Sequence, residues 1–263
     1  MTHWKITLSY DGTGFHGWQV QPGLPTVQGT LAAALEQMTG EQVLPQGSGR
    51  TDAGVHALGQ VASFAMEAAI PAENLLRALN RSLPQSVRVL RAEAVPESFH
   101  ARHSALRKTY EYRIFERGVE GASVCSPFLA PYVWDCRWRL DLQRMRAAAA
   151  MLCGTLDFTS FAAVDPEVSQ REDTVADGPN PVKTVFSSCV ARVDGLLRYR
   201  VTGSGFLHHM VRNIVGTLVE VGRGQMEAAA IPGILAACDR SAAGPTAPAQ
   251  GLFLVGVDYA VTA

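Results

Sequence analysis

Gly47-Ser-Gly-Arg-Thr-Asp-Ala-Gly-Val-His-Ala57 runs, within a few residues, into Val61-Ala-Ser-Phe64, a glycine-framed loop feeding a short β-prone strand. Gly47, Gly49 and Gly54 permit backbone angles closed to other residues and let a ligand approach the main chain closely. Arg50 stands two residues before Asp52, and His56 four after it. A nearby cation holds a carboxylate ionised, and its planar fork can grip a phosphate. The plainer alternative is a turn in Thr51-Asp-Ala-Gly54, with Asp52 capping backbone amides. A nucleotide-phosphate loop does not fit, because Gly47-Ser-Gly-Arg-Thr51 lacks both the Gly-x-x-x-x-Gly-Lys spacing and its lysine.

On either side of this loop the chain alternates strands and helices. Ile6–Tyr10 reads as a strand. A helix follows, with Thr26 as N-cap, Gly40 just past its end and Val27, Leu31, Leu35 and Met38 as its apolar stripe. A second helix is expected near Pro71–Leu83, then strands at Val87–Val95 and Lys108–Phe115 and a helix over Leu140–Leu152. Asp194-Gly195 joins Ser187–Val193 to Leu196–Thr202 as a tight hairpin. Helices over 206–221 and 226–237 precede a final strand, Leu252–Tyr259. Hairpins mixed with helices imply an α+β fold, its helices covering one face of mixed, largely antiparallel sheets. We place the division at 1–104 and 105–263, with an acidic insertion at about 165–180.

Composition narrows the function classes. At 263 residues with 47% hydrophobic content, the chain can bury a substantial core. Its five scattered cysteines contain no Cys-x-x-Cys pair, which argues against a disulfide framework or a thiolate zinc site and fits a reducing cytoplasm. No signal-like or membrane-length apolar run is present, so secretion and membrane insertion are not expected.

The net charge is −1, yet its distribution is uneven. Residues 165–178 carry five acids against Arg171 alone, so the remainder of the chain is net +3. Residues 88–117 hold seven basic and four acidic side chains. Arg102, Arg107, Lys108 and Arg113 interleave there with Tyr110 and Tyr112, a mixture suited to phosphate contacts and base stacking, although a solvated strand face looks similar. The acidic segment, with its Pro179-Asn-Pro181 run, reads as a surface loop that would repel phosphates.

Over 205–221, helical spacing puts Leu207, Met210, Val211, Ile214, Leu218 and Val221 on one side and His208, His209, Arg212, Asn213 and Gly216 on the other. His208 and Arg212 would then lie one turn apart, both available to a ligand. An amphipathic surface helix with a solvated arginine is the alternative. The adjacent histidines lack the spacing of a zinc helix.

The central loop, with Gly59-Gln60-Val61 and Phe64, resembles the active-site motif of the tRNA pseudouridine synthase A family. Further matches follow in the family's order: Tyr10-Asp-Gly-Thr13, Gly17-Trp-Gln-x-Gln21, Phe99-His-Ala-Arg102, Lys108-Thr-Tyr-x-Tyr112, Gly205-Phe-Leu-His-His-Met-Val-Arg-Asn213 and Ala247-Pro-Ala-x-Gly-Leu252. The resemblance implies two ferredoxin-like halves forming a continuous sheet, a central RNA-binding cleft and a homodimer. The implied reaction isomerises uridine at positions 38 to 40 of the tRNA anticodon arm, with no cofactor and no metal.

Asp52 is the implied catalytic carboxylate, either attacking C1′ or acting as a base. Tyr110 would stack on the target uracil, Arg212 would stand near the aspartate and Leu252 would pack beneath the base. Arg50 would fill the space left by the flipped nucleotide or hold a neighbouring phosphate, and Arg102 is a candidate phosphate contact. His56 either touches the RNA backbone or finishes the turn. A non-catalytic RNA-binding factor on the same scaffold is the competing class; a carboxylate aimed at a polyanion argues against it.

Overall fold

In the computed structural model, β1 (Thr2–Tyr10) alternates as its sequence does, burying Trp4, Ile6, Leu8 and Tyr10 at every second position. The structure describes residues 1–119, 121, 124–164 and 180–260. The acidic segment 165–178, read above as a surface loop, lies outside the described residues. The fold is α+β, with mixed, largely antiparallel β-structure and, among the described residues, five α-helices.

The chain divides into two units. One comprises Met1–Lys108 together with the residues from Phe253 onward, and the other Thr109–Leu252. The division therefore falls inside β5 (Ala105–Glu116), four residues beyond the expected boundary. The final strand, β10 (Leu252–Tyr259), runs almost wholly in the first unit rather than in the second. Its partner there is β3, whose pairing is far too distant in sequence for local pattern to reveal.

In the first unit the strand order is β4-β1-β3-β10. β1 lies antiparallel both to β3 (His56–Met66), from Thr2↔Met66 to Tyr10↔Ala57, and to β4 (Val87–Ala94). Two short neighbours share the other edge of β3. β2 (Gln46–Gly47) pairs with Ser63 and Ala62, and β10 runs parallel at Phe253↔His56 and Leu254↔Ala57. Thus β3 starts five residues earlier than Val61, and its first residue is His56.

Helix α1 (Val27–Thr39) starts and stops where its capping residues require. The Thr26 hydroxyl accepts from the Gly29 amide at 3.3 Å, and Gly40 adopts the left-handed conformation at φ 75°. Val27, Leu31 and Leu35 are buried as expected, while Met38 is half-buried. Helix α2 (Ala72–Ser82) buries Leu75 and Leu79.

In the second unit the order is β5-β9-β8-β7, with β6 (Trp134–Cys136) parallel to the end of β5. β8 (Val182–Val193) and β9 (Leu196–Gly203) form the expected hairpin. Asp194 and Gly195 both take positive φ, 51° and 74°, matching a turn of the primed type. β7 (Gly154–Asp157) adds to β8 and was not legible in the sequence, having only four residues and no alternation of burial. Helix α3 (Leu142–Ala150) is capped by Asp141, whose carboxylate accepts from the Gln143 and Arg144 amides.

Helix α4 differs from its expectation in two respects. It spans Met210–Gly222, beginning four residues late, because His209 sits in the left-handed region at φ 57°. The backbone just before it makes tertiary bonds instead: the His208 carbonyl accepts from the Ala163 amide at 3.0 Å. His208 therefore does not stand one helical turn from Arg212.

Nor is α4 an amphipathic surface helix. Asn213, Gly216 and Thr217, on its nominally polar side, are buried with the apolar residues. Segment 240–247 covers that side. Asn213 accepts from Arg240 and from the Thr246 hydroxyl and donates to the Phe161 carbonyl, and Thr217 accepts from the Gly244 amide. A side chain at Gly216 would place Cβ 1.6 Å from the Pro245 carbonyl oxygen.

Candidate functional site

The Asp52 loop is held from several directions within the first unit. Its own turn closes through a hydrogen bond from the Val55 amide to the Asp52 carbonyl at 3.1 Å, with Gly54 at φ 77°. The segment between β1 and α1 lies against it. The Trp18 amide donates to the Thr51 carbonyl at 3.0 Å, and the Gly54 amide donates to the Phe15 carbonyl at 3.2 Å. Approach is close enough to require glycine opposite the loop. A Cβ at Gly17 would lie 2.5 Å from the Thr51 oxygen, and one at Gly12 would lie 2.1 Å from the Val55 oxygen. Asp52 and Arg50 are both half-buried on this tethered loop, whereas Thr51 between them is buried.

The loop rests on buried polar side chains. The Tyr10 and Thr51 hydroxyls lie 2.8 Å apart. Gln60 donates from Nε2 to the Gly49 carbonyl at 2.9 Å, and its Oε1 accepts from the Ser48 hydroxyl at 2.7 Å. Lys108 donates to the Ser48 carbonyl at 2.6 Å. Burial pushes the Tyr10 phenol up to about 12, with hydrogen bonds to Thr51 and Gln60 opposing the shift.

His56 is 1% exposed and stacks on Phe253 with ring centroids 4.7 Å apart. Its Nδ1 lies 3.0 Å from the Gly12 amide and 3.2 Å from an Asp11 carboxylate oxygen. The imidazole thereby braces the Tyr10-Asp-Gly-Thr13 segment beside the loop. Arg102 is exposed, and its amide donates to His100 Nδ1 at 3.1 Å. The loop that carries it is pinned at Ala101, whose amide donates to the Ser63 hydroxyl and whose carbonyl accepts from Tyr259 at 2.6 Å.

Within the second unit, Tyr110 and Tyr112 both lie buried on β5. Tyr110 is 7% exposed and meets Phe206 edge to face at 5.1 Å. Tyr112 is fully buried and donates to the Pro248 carbonyl at 2.7 Å. Burial raises its phenol well above the ordinary tyrosine value, with the Arg212 charge opposing that rise. Arg212 is half-buried on α4 and donates from Nε to the Ala247 carbonyl at 2.8 Å, while the Ala247 amide returns a bond to the Arg212 carbonyl.

The segment leading to Leu252 is thus fastened at residues 247 and 248. It is also pressed closely onto Tyr112: a Cβ at Gly251 would lie 2.6 Å from that ring. Leu252 itself is 6% exposed.

The structure brings Arg50, Asp52 and His56 onto one tethered segment of the first unit, and gathers Tyr112, Arg212 and the approach to Leu252 in the second. Sequence reasoning did not single out Tyr10, Trp18, Thr51, Gln60 or Phe206, which form the packing around these residues. Their signal was present, since each falls inside one of the quoted motifs.

A model of the tRNA pseudouridine synthase family matches residues 6–104 and 148–260. The chain is 51% identical over 256 residues to the tRNA pseudouridine synthase A of Solibacter usitatus, covering 97% of this chain and 98% of the relative. It is 47% identical to that of Moorella thermoacetica, covering 97% and 98%, and 42% identical to that of Neisseria meningitidis serogroup B, covering 97% and 91%. With the motifs in order and the match extending over nearly the whole chain, the protein belongs to the tRNA pseudouridine synthase family.

Proposed function

We propose that the chain isomerises uridine at positions 38 to 40 of the tRNA anticodon arm, with Asp52 as the reacting carboxylate. Family membership carries the coarser statement, that it is an isomerase converting uridine to pseudouridine in tRNA. The N1–C1′ bond breaks, the uracil turns over, C5 joins C1′ and gives up its proton to solvent, and N1 takes up a proton, so that atoms balance. Charge left on the departing uracil delocalises into its carbonyls, so a positioned carboxylate and cationic neighbours suffice. Asp52 acts on the ribose, either at C1′ as nucleophile or on a sugar proton as base.

The observation that carries this reading is the Asp52 loop, fixed by backbone bonds to Trp18 and Phe15 and by buried side chains beneath it. A loop backbone fixed on both sides of the carboxylate before substrate arrives supports the positional demand of the chemistry. For Tyr110 we propose stacking on the uracil, for Leu252 packing beneath it, and for Arg212 and Arg50 contacts to the carboxylate and the RNA. Arg102, exposed on its pinned loop, is proposed to meet phosphate, and His56 to act through Gly12 and Asp11. A homodimer is proposed with the same family reading and is checked by light scattering.

The test is tritium release from C5-labelled uridine in unmodified tRNA, with single uridines at 38, 39 and 40 labelled in turn. Release confined to those positions is expected. Release elsewhere in the tRNA would remove the site assignment and leave the isomerase in place.

A further inference from the structure

We propose that Tyr10 and Gln60 are positioning residues for the isomerisation, forming a buried strut that sets the backbone on the amino-terminal side of Asp52; this rests on the reading of Asp52 as the reacting carboxylate. Both side chains are sealed from solvent, at 4% and 0% exposure. Each carries polar atoms that burial penalises unless they are bonded. Each of those atoms has a hydrogen-bond partner in the loop, at Ser48, Gly49 or Thr51.

Gln60 has its amide orientation settled by its partners. The Val61 amide, which can only donate, lies 3.1 Å from Oε1, and the Ser48 hydroxyl lies 2.7 Å from the same oxygen. The Nε2 end is then left to donate to the Gly49 carbonyl at 2.9 Å and, more weakly, to the Tyr10 hydroxyl at 3.5 Å. Tyr10 completes the chain by sharing a 2.8 Å hydrogen bond with Thr51, the residue immediately before Asp52.

Tyr10 and Gln60 sit on β1 and β3, paired strands of one sheet. The strut therefore transfers the rigidity of that sheet to residues 48, 49 and 51. Cooperative chains of this kind in a low-dielectric interior stiffen beyond their single bonds. Loss of one link would let Thr51, and Asp52 with it, sample other positions.

The experiment measures single-turnover rate at saturating tRNA, tRNA affinity and melting temperature for Tyr10→Phe, Thr51→Val, the double variant and Asp52→Asn. Asn80→Ala is the control for stability alone, because Asn80 ties α2 to β4 through two bonds to Val89 away from the loop. Tyr10→Phe keeps the ring and is expected to slow the chemical step on the order of 10- to 100-fold, the penalty typical of a reacting group displaced by about 1 Å. Affinity for tRNA should be unchanged.

The double variant should be no slower than the worse single variant, because both remove the same hydrogen bond. Asn80→Ala should lower the melting temperature without slowing the chemical step. Wild-type rate in Tyr10→Phe beside an inactive Asp52→Asn would overturn the inference alone. So would a loss in Asn80→Ala matching that in Tyr10→Phe, or a Tyr10→Phe defect confined to affinity. Wild-type turnover by Asp52→Asn would overturn the inference together with the reading beneath it.

Discussion

The residue before Asp52 is held at two points, since Thr51 is bonded through its carbonyl to Trp18 and through its hydroxyl to Tyr10. Replacing the carboxylate by an amide keeps size and shape. Asp52→Asn should therefore abolish tritium release while leaving tRNA affinity near wild type; unfolding of this variant would instead point to a turn-capping role for the side chain. The two tyrosines of β5 separate in the same way. Tyr110→Ala should lower turnover about 10- to 100-fold if the ring stacks on uracil, since base–aromatic stacking is worth roughly 1–3 kcal/mol. Tyr112→Phe loses the bond to the Pro248 carbonyl and should cost about 1 kcal/mol of stability with little effect on rate. Denaturant titration and single-turnover kinetics on both variants check this, and equal small rate effects would remove Tyr110 from the base.

Helix α4 shows how an element's context overrides its local chemistry. Its sequence divides into an apolar and a polar side, yet segment 240–247 covers the polar one with matched hydrogen bonds. Gly216 makes the consequence measurable. Helix propensity alone predicts that Gly216→Ala stabilises by about 1 kcal/mol. The Pro245 carbonyl 1.6 Å from the added carbon predicts the opposite. Backbone cannot yield as a flexible side chain does, so we expect destabilisation of at least ~1–3 kcal/mol, the usual range for overpacking. Equilibrium denaturation decides the sign, and a stabilised variant would show that segment 240–247 moves aside readily.

At the scale of the whole molecule, buried phenols should dominate the alkaline limb of stability. Tyr10, Tyr112, Tyr199 and Tyr259 are all raised, chiefly by burial. A phenol whose folded value lies above its unfolded value of 10.0 keeps its proton longer in the folded state. That contribution is complete below pH 10 and is lost as pH climbs through the folded value, about 12 for Tyr10. For Tyr10 the loss amounts to ~3 kcal/mol, at about 1.4 kcal/mol per pH unit. Stability measured between pH 9 and 12 should fall steeply, and less steeply in Tyr10→Phe; parallel curves for the two proteins would refute this assignment.

Local chemistry determined a large part of this protein from the sequence alone. Alternation exposed β1, Thr26 and Gly40 bounded α1, and Asp194-Gly195 closed the hairpin, because each depends on contacts within a few residues. The ordered motifs also located the Asp52 loop and the family. What tertiary structure decided was everything whose partner is distant: the parallel pairing of β10 with β3, the short strands β2, β6 and β7, and the late start of α4. The burial of Asn213 and Thr217 belongs there as well, as do the bonds of Tyr10 to Thr51 and of Gln60 to Gly49. Periodicity records which side of an element is apolar, but a buried polar group is stable only beside its partner, and only folding across many residues supplies that partner.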